Sequence, residues 1–205
     1  DSCPASPGAK NNFSICGDPI NALIGNKFEN KVEYQGQGAF PLTFSWYYNS
    51  LGAPRASSTL PLGLGEMRVH NYSQFISFGV SSTAAASVFV TRPDGDMILF
   101  TKSGLNWVSE NPDVGVLTSL LDAQSQTVGW TYQAKNGTLE SFNSRGVLVS
   151  ILNQDGLKQE MFYNVNGLLE KVRDPQGREL SFTYNSQRQI NRLNLPDGQY
   201  IDFSY

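Results

Sequence analysis

Catalysis needs a nucleophile, a base and something to orient them, and few residues of this chain could fill those roles. His70 is the only histidine. It could serve as a general base, but no Gly-x-Ser-x-Gly, HExxH or phosphate-binding loop accompanies it. Gly63-Leu64-Gly65 is only a turn. The plain reading of His70 is a satisfied polar side chain in a β-domain. Cys3 and Cys16, the two cysteines, both lie near the start of the chain. With no CxxC and one histidine, they point to neither a zinc site nor a Cys–His pair. The expectation is a disulfide that pins the N-terminal segment, a short loop closure worth about 3 kcal/mol on the chain-entropy scale. The alternative is two free thiols in a cytosolic chain. The opening Asp1-Ser2-Cys3-Pro4-Ala5-Ser6-Pro7 lacks a methionine. It suits a mature terminus left by signal-peptide removal, and with it an exported protein; it suits a trimmed polypeptide equally.

Asp94, Asp155, Asp174 and Asp197 each sit beside a turn glycine. A calcium-binding ladder is one reading. Turn chemistry is simpler, because an aspartate side chain caps the turn backbone and tolerates the left-handed conformation. Asn12, Asn71 and Asn136 begin glycosylation sequons, which would mean nothing were the protein bacterial. Phe182, Tyr184, Phe203 and Tyr205 could stack on sugars, but they alternate with polar residues as core positions do, and burying each ring stabilises by about 1.5–3 kcal/mol. No catalytic, cofactor-binding or metal-binding residue is therefore assigned, and the segment is read as non-enzymatic.

Composition narrows the partners. Of 205 residues, 40% are apolar and 12% aromatic, enough for a sizeable core with a bias to sheet; only 16% are charged, with net charge −3. Nucleic-acid binding needs a basic face that this balance does not supply. No apolar run approaches a transmembrane span.

The elements that must position these residues follow from an internal repeat. Phe142, Tyr163, Tyr184 and Tyr205 recur every 21 residues. Gly156, Gly177 and Gly198 keep that spacing, as do Gly146 and Gly167, with Arg188 in the third slot. Leu148, Leu169 and Ile190 form one apolar column, and Ile151, Val172 and Leu193 another. Several columns in one register mean a repeat architecture. Each unit holds two turns. The first begins at Asn143, Asn164 and Asn185; the second is Asn153-Gln154-Asp155-Gly156, Asp174-Pro175-Gln176-Gly177 and Leu195-Pro196-Asp197-Gly198, with Pro and Gly where type I or II turns want them. The arm after the second turn alternates, with Leu180, Phe182 and Tyr184 on one face and Glu179, Ser181 and Thr183 on the other. On the remaining arm, Leu169 and Val172 lie three apart, which predicts a bulge or an early strand end. Arg188, in place of glycine, predicts a turn of different type there.

Upstream, Phe28–Tyr34 and Leu42–Tyr48 read as strands. Ser87–Thr91 and Asp96–Phe100 flank the turn Arg92-Pro93-Asp94-Gly95. Residues 102–127 lack clear alternation, and Asp113–Leu121 could hold a short helical turn. Val128–Ala134 and Thr138–Phe142 flank Asn136-Gly137, the pair preferred by type I′ turns.

The pattern aromatic-Asn/Asp-x-x-Gly-x-Leu, then Asp-Pro-x-Gly-Arg-x-Leu-x-Phe-x-Tyr, resembles the YD repeats of Rhs proteins. These are large bacterial polymorphic toxins and surface proteins, with relatives in insecticidal toxin complexes and animal teneurins. Tyr163–Tyr184 fits best. Asp18-Pro19-Ile20, Gly25-Asn26-Lys27-Phe28, Phe40-Pro41-Leu42, Phe44 and Tyr48-Asn49-Ser50 resemble the domain that precedes such repeats, with Trp46 where arginine is common. Leu64–Tyr72 matches a further block loosely. Rhs proteins often cleave themselves at an Asp-Pro-x-Gly segment; Asp174-Pro175-Gln176-Gly177 sits mid-repeat and is read as an ordinary turn.

The resemblance implies an all-β chain: an irregular lead over 1–17, a β-domain over 18–127 and hairpin repeats over 128–205, with no flexible linker at 128–145. Each unit must stack on its neighbour, so the segment is expected to be part of a longer array. In Rhs proteins such an array curls into a hollow β-shell around a C-terminal toxin. The expected role is structural, in an exported periplasmic, surface or secreted bacterial protein. Its partners would be the rest of its own shell and the enclosed toxin, with secretion machinery or surface glycans beyond them. The alternative is a cell-surface module binding carbohydrate or protein, with Tyr47 or Tyr200 as the aromatic contact.

Overall fold

The computed structural model describes residues 20–21, 26–50, 63–65, 68–79, 86–94 and 96–205. Cys3, Cys16 and residues 1–17, for which an irregular lead is expected, lie outside them. Among the described residues the chain is all-β, with seventeen strands and no helix.

Three antiparallel sheets form in succession. The first joins β1 (Ile20–Asn21), β2 (Asn26–Gln35), β3 (Thr43–Asn49) and β4 (Arg68–His70). The second joins β5 (Phe75–Phe78), β6 (Ser87–Thr91), β7 (Met97–Ser103) and β8 (Asn106–Val108). The third is a nine-stranded meander in strict chain order. It comprises β9 (Val116–Leu121), β10 (Thr127–Gln133), β11 (Leu139–Asn143), β12 (Leu148–Leu152), β13 (Lys158–Tyr163), β14 (Leu169–Arg173), β15 (Glu179–Tyr184), β16 (Ile190–Asn194) and β17 (Tyr200–Asp202).

Asp113–Leu121 is not helical. Val116–Leu121 forms β9, paired along its length with β10. Its alternation is hidden because Val116 and Leu120, on the face away from the core, are apolar yet exposed, while Leu117 is buried. β-branched Val116 and Thr118 favour the strand. In β2, a register shift between Val32 and Tyr34 interrupts the expected alternation: Val32 is exposed and the Glu33 carboxylate accepts the indole N–H of Trp46 at 2.7 Å.

One loop closes all eight connections of the meander. The N–H of its first residue donates to the carbonyl four residues on, and the N–H of its fourth residue donates back to the first; Asn164/Leu168 and Gly167/Asn164, both 2.9 Å, are typical. Only the fourth residue has positive φ. This is a type I turn followed by one left-handed residue, the three-residue hairpin loop. Asn136-Gly137 therefore does not form a type I′ turn: Gly137 is at φ 77 while Asn136 is not in the left-handed region. Arg188 does not change the turn either. It takes φ 64, makes the same bond to Asn185 O (3.0 Å) and donates from its guanidinium to Asn166 O of the preceding unit (3.0 Å).

The expected bulge is present in every unit. Phe142 pairs with Leu148 but Ser141 with Ser150; Tyr163 pairs with Leu169 but Phe162 with Lys171; Tyr184 pairs with Ile190 but Thr183 with Arg192. The extra residue lets Leu169 and Val172, and Ile190 and Leu193, all face the core although they lie three apart.

The first two sheets cover the apolar face of the meander. The second packs on its early strands, with Trp107 and Phe78 against Trp130 (5.2 and 5.7 Å between centroids) and Phe100 against Tyr132 (6.3 Å). The first packs on its later strands, with Phe44 against Phe182 (5.6 Å) and Phe203 (6.0 Å). Leu42, Phe44, Ile76, Phe100, Phe142, Leu180 and Leu193 belong to one continuous core. At the joint the N–H of Ile76 donates to Gly146 O (2.8 Å).

Two glycine substitutions should separate conformational from steric demand. A Cβ on Gly177 (φ 82) would meet nothing within 4 Å, so Gly177→Ala should cost only left-handed strain, about 1 kcal/mol. A Cβ on Gly146 would lie 2.1 Å from the Ile76 carbonyl oxygen. Gly146→Ala should therefore cost about 3 kcal/mol or more in urea denaturation; equal losses in the two variants would show that the joint yields freely.

Candidate functional site

His70 ends β4 with its ring inside the joint between the first sheet and the meander. It is 4% exposed, stacks on Phe182 at 6.2 Å with planes 16° apart and lies 5.6 Å from Phe44. Its Nδ1 accepts the N–H of Tyr72 at 3.2 Å, so the neutral ring carries its proton on Nε2. Ser73 Oγ accepts the backbone N–H of His70 at 3.1 Å. Burial drives the imidazole pKa down from 6.5 to about 3. His70 is thus a neutral core side chain. Tyr72 beside it is pushed up to about 12, also by burial.

The turn aspartates cap backbone. Asp174 Oδ1 accepts the N–H groups of Gln176 (3.0 Å) and Arg178 (2.9 Å), and Oδ2 accepts Arg178 Nε (2.7 Å). Asp94 and Asp197 each accept the N–H two residues on. Asp155 instead accepts the Asn153 amide (3.3 Å). The main caps are the asparagines that open the turns: Asn143, Asn153, Asn164 and Asn185 each take two backbone N–H groups on one oxygen. Among the described residues no three His, Cys, Asp or Glu side chains gather as a metal would need.

The repeat tyrosines carry a contact that the spacing alone does not reveal. Tyr163, Tyr184 and Tyr205 donate their hydroxyls to the carbonyls of Leu148 (2.8 Å), Leu169 (2.7 Å) and Ile190 (2.8 Å). Each acceptor is the residue beside the preceding bulge. The hydroxyl ties each unit to the one before it beside the bulge, and burial raises the phenol pKa of Tyr163 and Tyr184. The columns Leu148/Tyr163, Leu169/Tyr184 and Ile190/Tyr205 were visible as a constant separation of 15 residues. Gly156, Gly167, Gly177 and Gly198 supply the left-handed turn residue.

Polar locks between layers carried no sequence signal. Gln159, 4% exposed, donates to Phe40 O (3.2 Å) and Pro41 O (3.0 Å). The Arg92 guanidinium forks onto the buried Glu140 carboxylate, with Nη2 to Oε1 at 2.7 Å, and lies over the Tyr132 ring.

The opposite face of the meander is solvated and ion-paired. Arg173 and Lys171 hold the Glu179 carboxyl below its usual pKa range. Arg192 pairs with Asp202 and lies 3.8 Å over the Tyr200 ring, so one face of that ring is already covered. Tyr47 is half-buried beside Phe28.

Residues 163–200, spanning two turns of each kind and the strands between them, match the family model described as RHS Repeat. The chain thus carries an Rhs repeat over these residues. Residues 17–100, which supply the first sheet and most of the second, match a model described as Domain of unknown function (DUF6531). No curated protein matches the chain. The Rhs repeat is a structural, non-catalytic repeat, and proteins that carry it are typically extracellular or on the cell surface. The turn and aromatic positions of the repeats therefore read as devices for stacking units.

Two outcomes are expected. Tyr184→Phe leaves the buried Leu169 carbonyl without its donor and should cost about 1–3 kcal/mol, whereas Tyr205→Phe, at an exposed ring, should cost less than about 1 kcal/mol; similar losses would refute the clasp. For His70, the unfolded chain takes up a proton as pH falls through 6.5 while the folded ring stays neutral to about 3. Stability is then full above pH 6.5 and falls at about 1.4 kcal/mol per pH unit below it, about 2 kcal/mol by pH 5. Urea denaturation at pH 7.5 and 5 should show this slope and its loss in His70→Leu; a flat profile in the native chain would mean that the joint admits the charged ring.

Proposed function

We propose that this chain is a non-catalytic wall segment of an exported Rhs-family protein, in which the repeats form part of a closed β-shell around a C-terminal toxin domain and the first two sheets line one face of that wall. One observation carries the reading. Met161 pairs with Val172, which pairs with Leu180, yet the residue equivalent to Met161 in the next unit is Phe182. Phe182, Leu193 and Ile201 repeat the relation one unit later. Each two-stranded unit is therefore displaced by two residues along its strands, one residue per strand.

A stagger of about 3.4 Å for every 4.8 Å of sheet width tilts the strands by about 35°, the tilt at which sheets close on themselves. An array extended by this unit coils instead of remaining flat. The ion-paired, solvated face and the cation-covered Tyr200 fit a wall better than a sugar platform. His70, neutral and enclosed, fits a segment without turnover.

The test is made on the full polypeptide that contains this segment. Electron microscopy should find hollow closed particles, and limited proteolysis should leave the C-terminal domain intact while the same domain expressed alone is digested. An open or linear assembly, or digestion of that domain at its free rate, would defeat the proposal. So would hydrolytic turnover by this segment that depends on His70.

A further inference from the structure

Among the described residues, the second sheet leaves part of one strand without a partner. β7 spans Met97–Ser103, and β6 pairs with it from Met97 to Thr101. On the other side β8 pairs only with Thr101, Lys102 and Ser103. The bonds from Arg92 N–H to Asp96 O (2.8 Å) and from Lys102 N–H to Ala86 O (3.0 Å) show which residues of this arm face β6. By alternation, Ile98 and Phe100 do so as well, and Met97 and Leu99 turn their N–H and C=O groups the opposite way. They point to the stretch that β8 does not reach.

Local turn chemistry keeps that stretch open. Beyond β8, Ser109 Oγ accepts the N–H of Asn111 (3.3 Å), and Asn111 Oδ1 accepts that of Asp113 (2.9 Å). These turns, with Pro112 between them, lift the chain away from β7. A groove of ≈ 190 Å³ remains between β7 and the 109–114 loop, lined among others by Asp96, Met97, Leu99, Glu110 and Val114. Its wall is apolar and accessible, with Met97 47% and Leu99 43% exposed. Its rim is acidic. Asp96 and Glu110 line it, and Asp94 and Asp113 flank it in sequence. The cations of the same hairpin are committed elsewhere: Arg92 to Glu140 and Lys102 to the Trp107 ring.

We propose that this groove receives an extended peptide segment of a partner protein, which adds to β7 as a short strand in line with β8. Two outward donors and two outward acceptors, on Met97 and Leu99, supply the main-chain bonds of strand addition. Apolar side chains of the guest lie against Met97 and Leu99, and its lysine or arginine side chains meet Asp96 and Glu110. A second copy of this chain is the poorer guest, because pairing β7 with β7 brings acidic rims together and like charges oppose cross-strand pairing.

The experiment titrates the isotope-labelled chain with a six-residue peptide alternating valine and lysine, and with a valine–glutamate peptide as control. The lysine peptide should shift the Met97 and Leu99 amide signals and slow their hydrogen exchange; the glutamate peptide should not. Leu99→Pro removes only an outward-facing N–H, which an edge position tolerates, and should abolish the response with the ladder to β6 intact. Glu110→Lys, at an exposed loop position, should weaken binding about tenfold, the order of one desolvated charge contact, and remains informative if Leu99→Pro misfolds. The proposal is overturned if neither amide responds at millimolar peptide, if both peptides bind alike, if Glu110→Lys binds the lysine peptide undiminished, or if these amides are protected by self-association.

Discussion

Parity governs this structure. Each connection of the meander closes residue i on residue i+4, as at Asn164/Leu168 and Asp174/Arg178. Two such closures in a row would set a residue beside the one twenty or twenty-two further on, because successive closures start ten or eleven residues apart. The unit is 21 residues long, so an unbulged ladder would fall one residue out of step per unit, and side chains would change face each time. One bulge per unit, at Val149, Glu170 and Asn191, restores agreement. Lateral neighbours then differ by an odd count, and the mismatch with the repeat becomes two residues, which keeps every column on its face.

The remaining features follow from that correction. Beside each bulge a carbonyl accepts the hydroxyl of the tyrosine fifteen residues later. Because the faces are preserved, one side of the sheet is apolar along its whole width and must be covered. The first two sheets cover it, with Phe44, Phe100 and Trp107 meeting Phe182, Tyr132 and Trp130. Gln159 and the Arg92–Glu140 pair add polar contacts across the layers. Such contacts admit few alternatives, since breaking a buried charged pair leaves one partner uncompensated, so they select one seating of the cover on the repeats.

The groups that carry chemistry in other proteins serve architecture in the described residues. Its histidine is stacked in the core and its turn aspartates hold backbone N–H groups. Its tyrosines stitch one unit to the next, and its exposed cations pair across strands. The two-residue stagger sets the direction in which one unit is laid down on the next.

The 21-residue period, the turn positions, the alternation of Leu180, Phe182 and Tyr184 and even the bulge were legible from the order of residues, because each is dictated within a few residues by backbone sterics and side-chain period. Local reading misjudged places where a neighbour decides. Arg188 keeps the glycine turn because the loop closure imposes φ 64 and Asn166 of the preceding unit receives its guanidinium. Val116–Leu121 is a strand because β10 pairs with it, although its apolar residues occupy both faces. The fate of His70, the clasp made by each tyrosine hydroxyl, the Gln159 and Glu140 locks and the unpaired stretch of β7 depend on contacts between residues far apart in sequence. Those contacts arise only when the layers pack, because whether a polar group is buried, bonded or left open is set by the surface brought against it and not by the residues beside it in the chain.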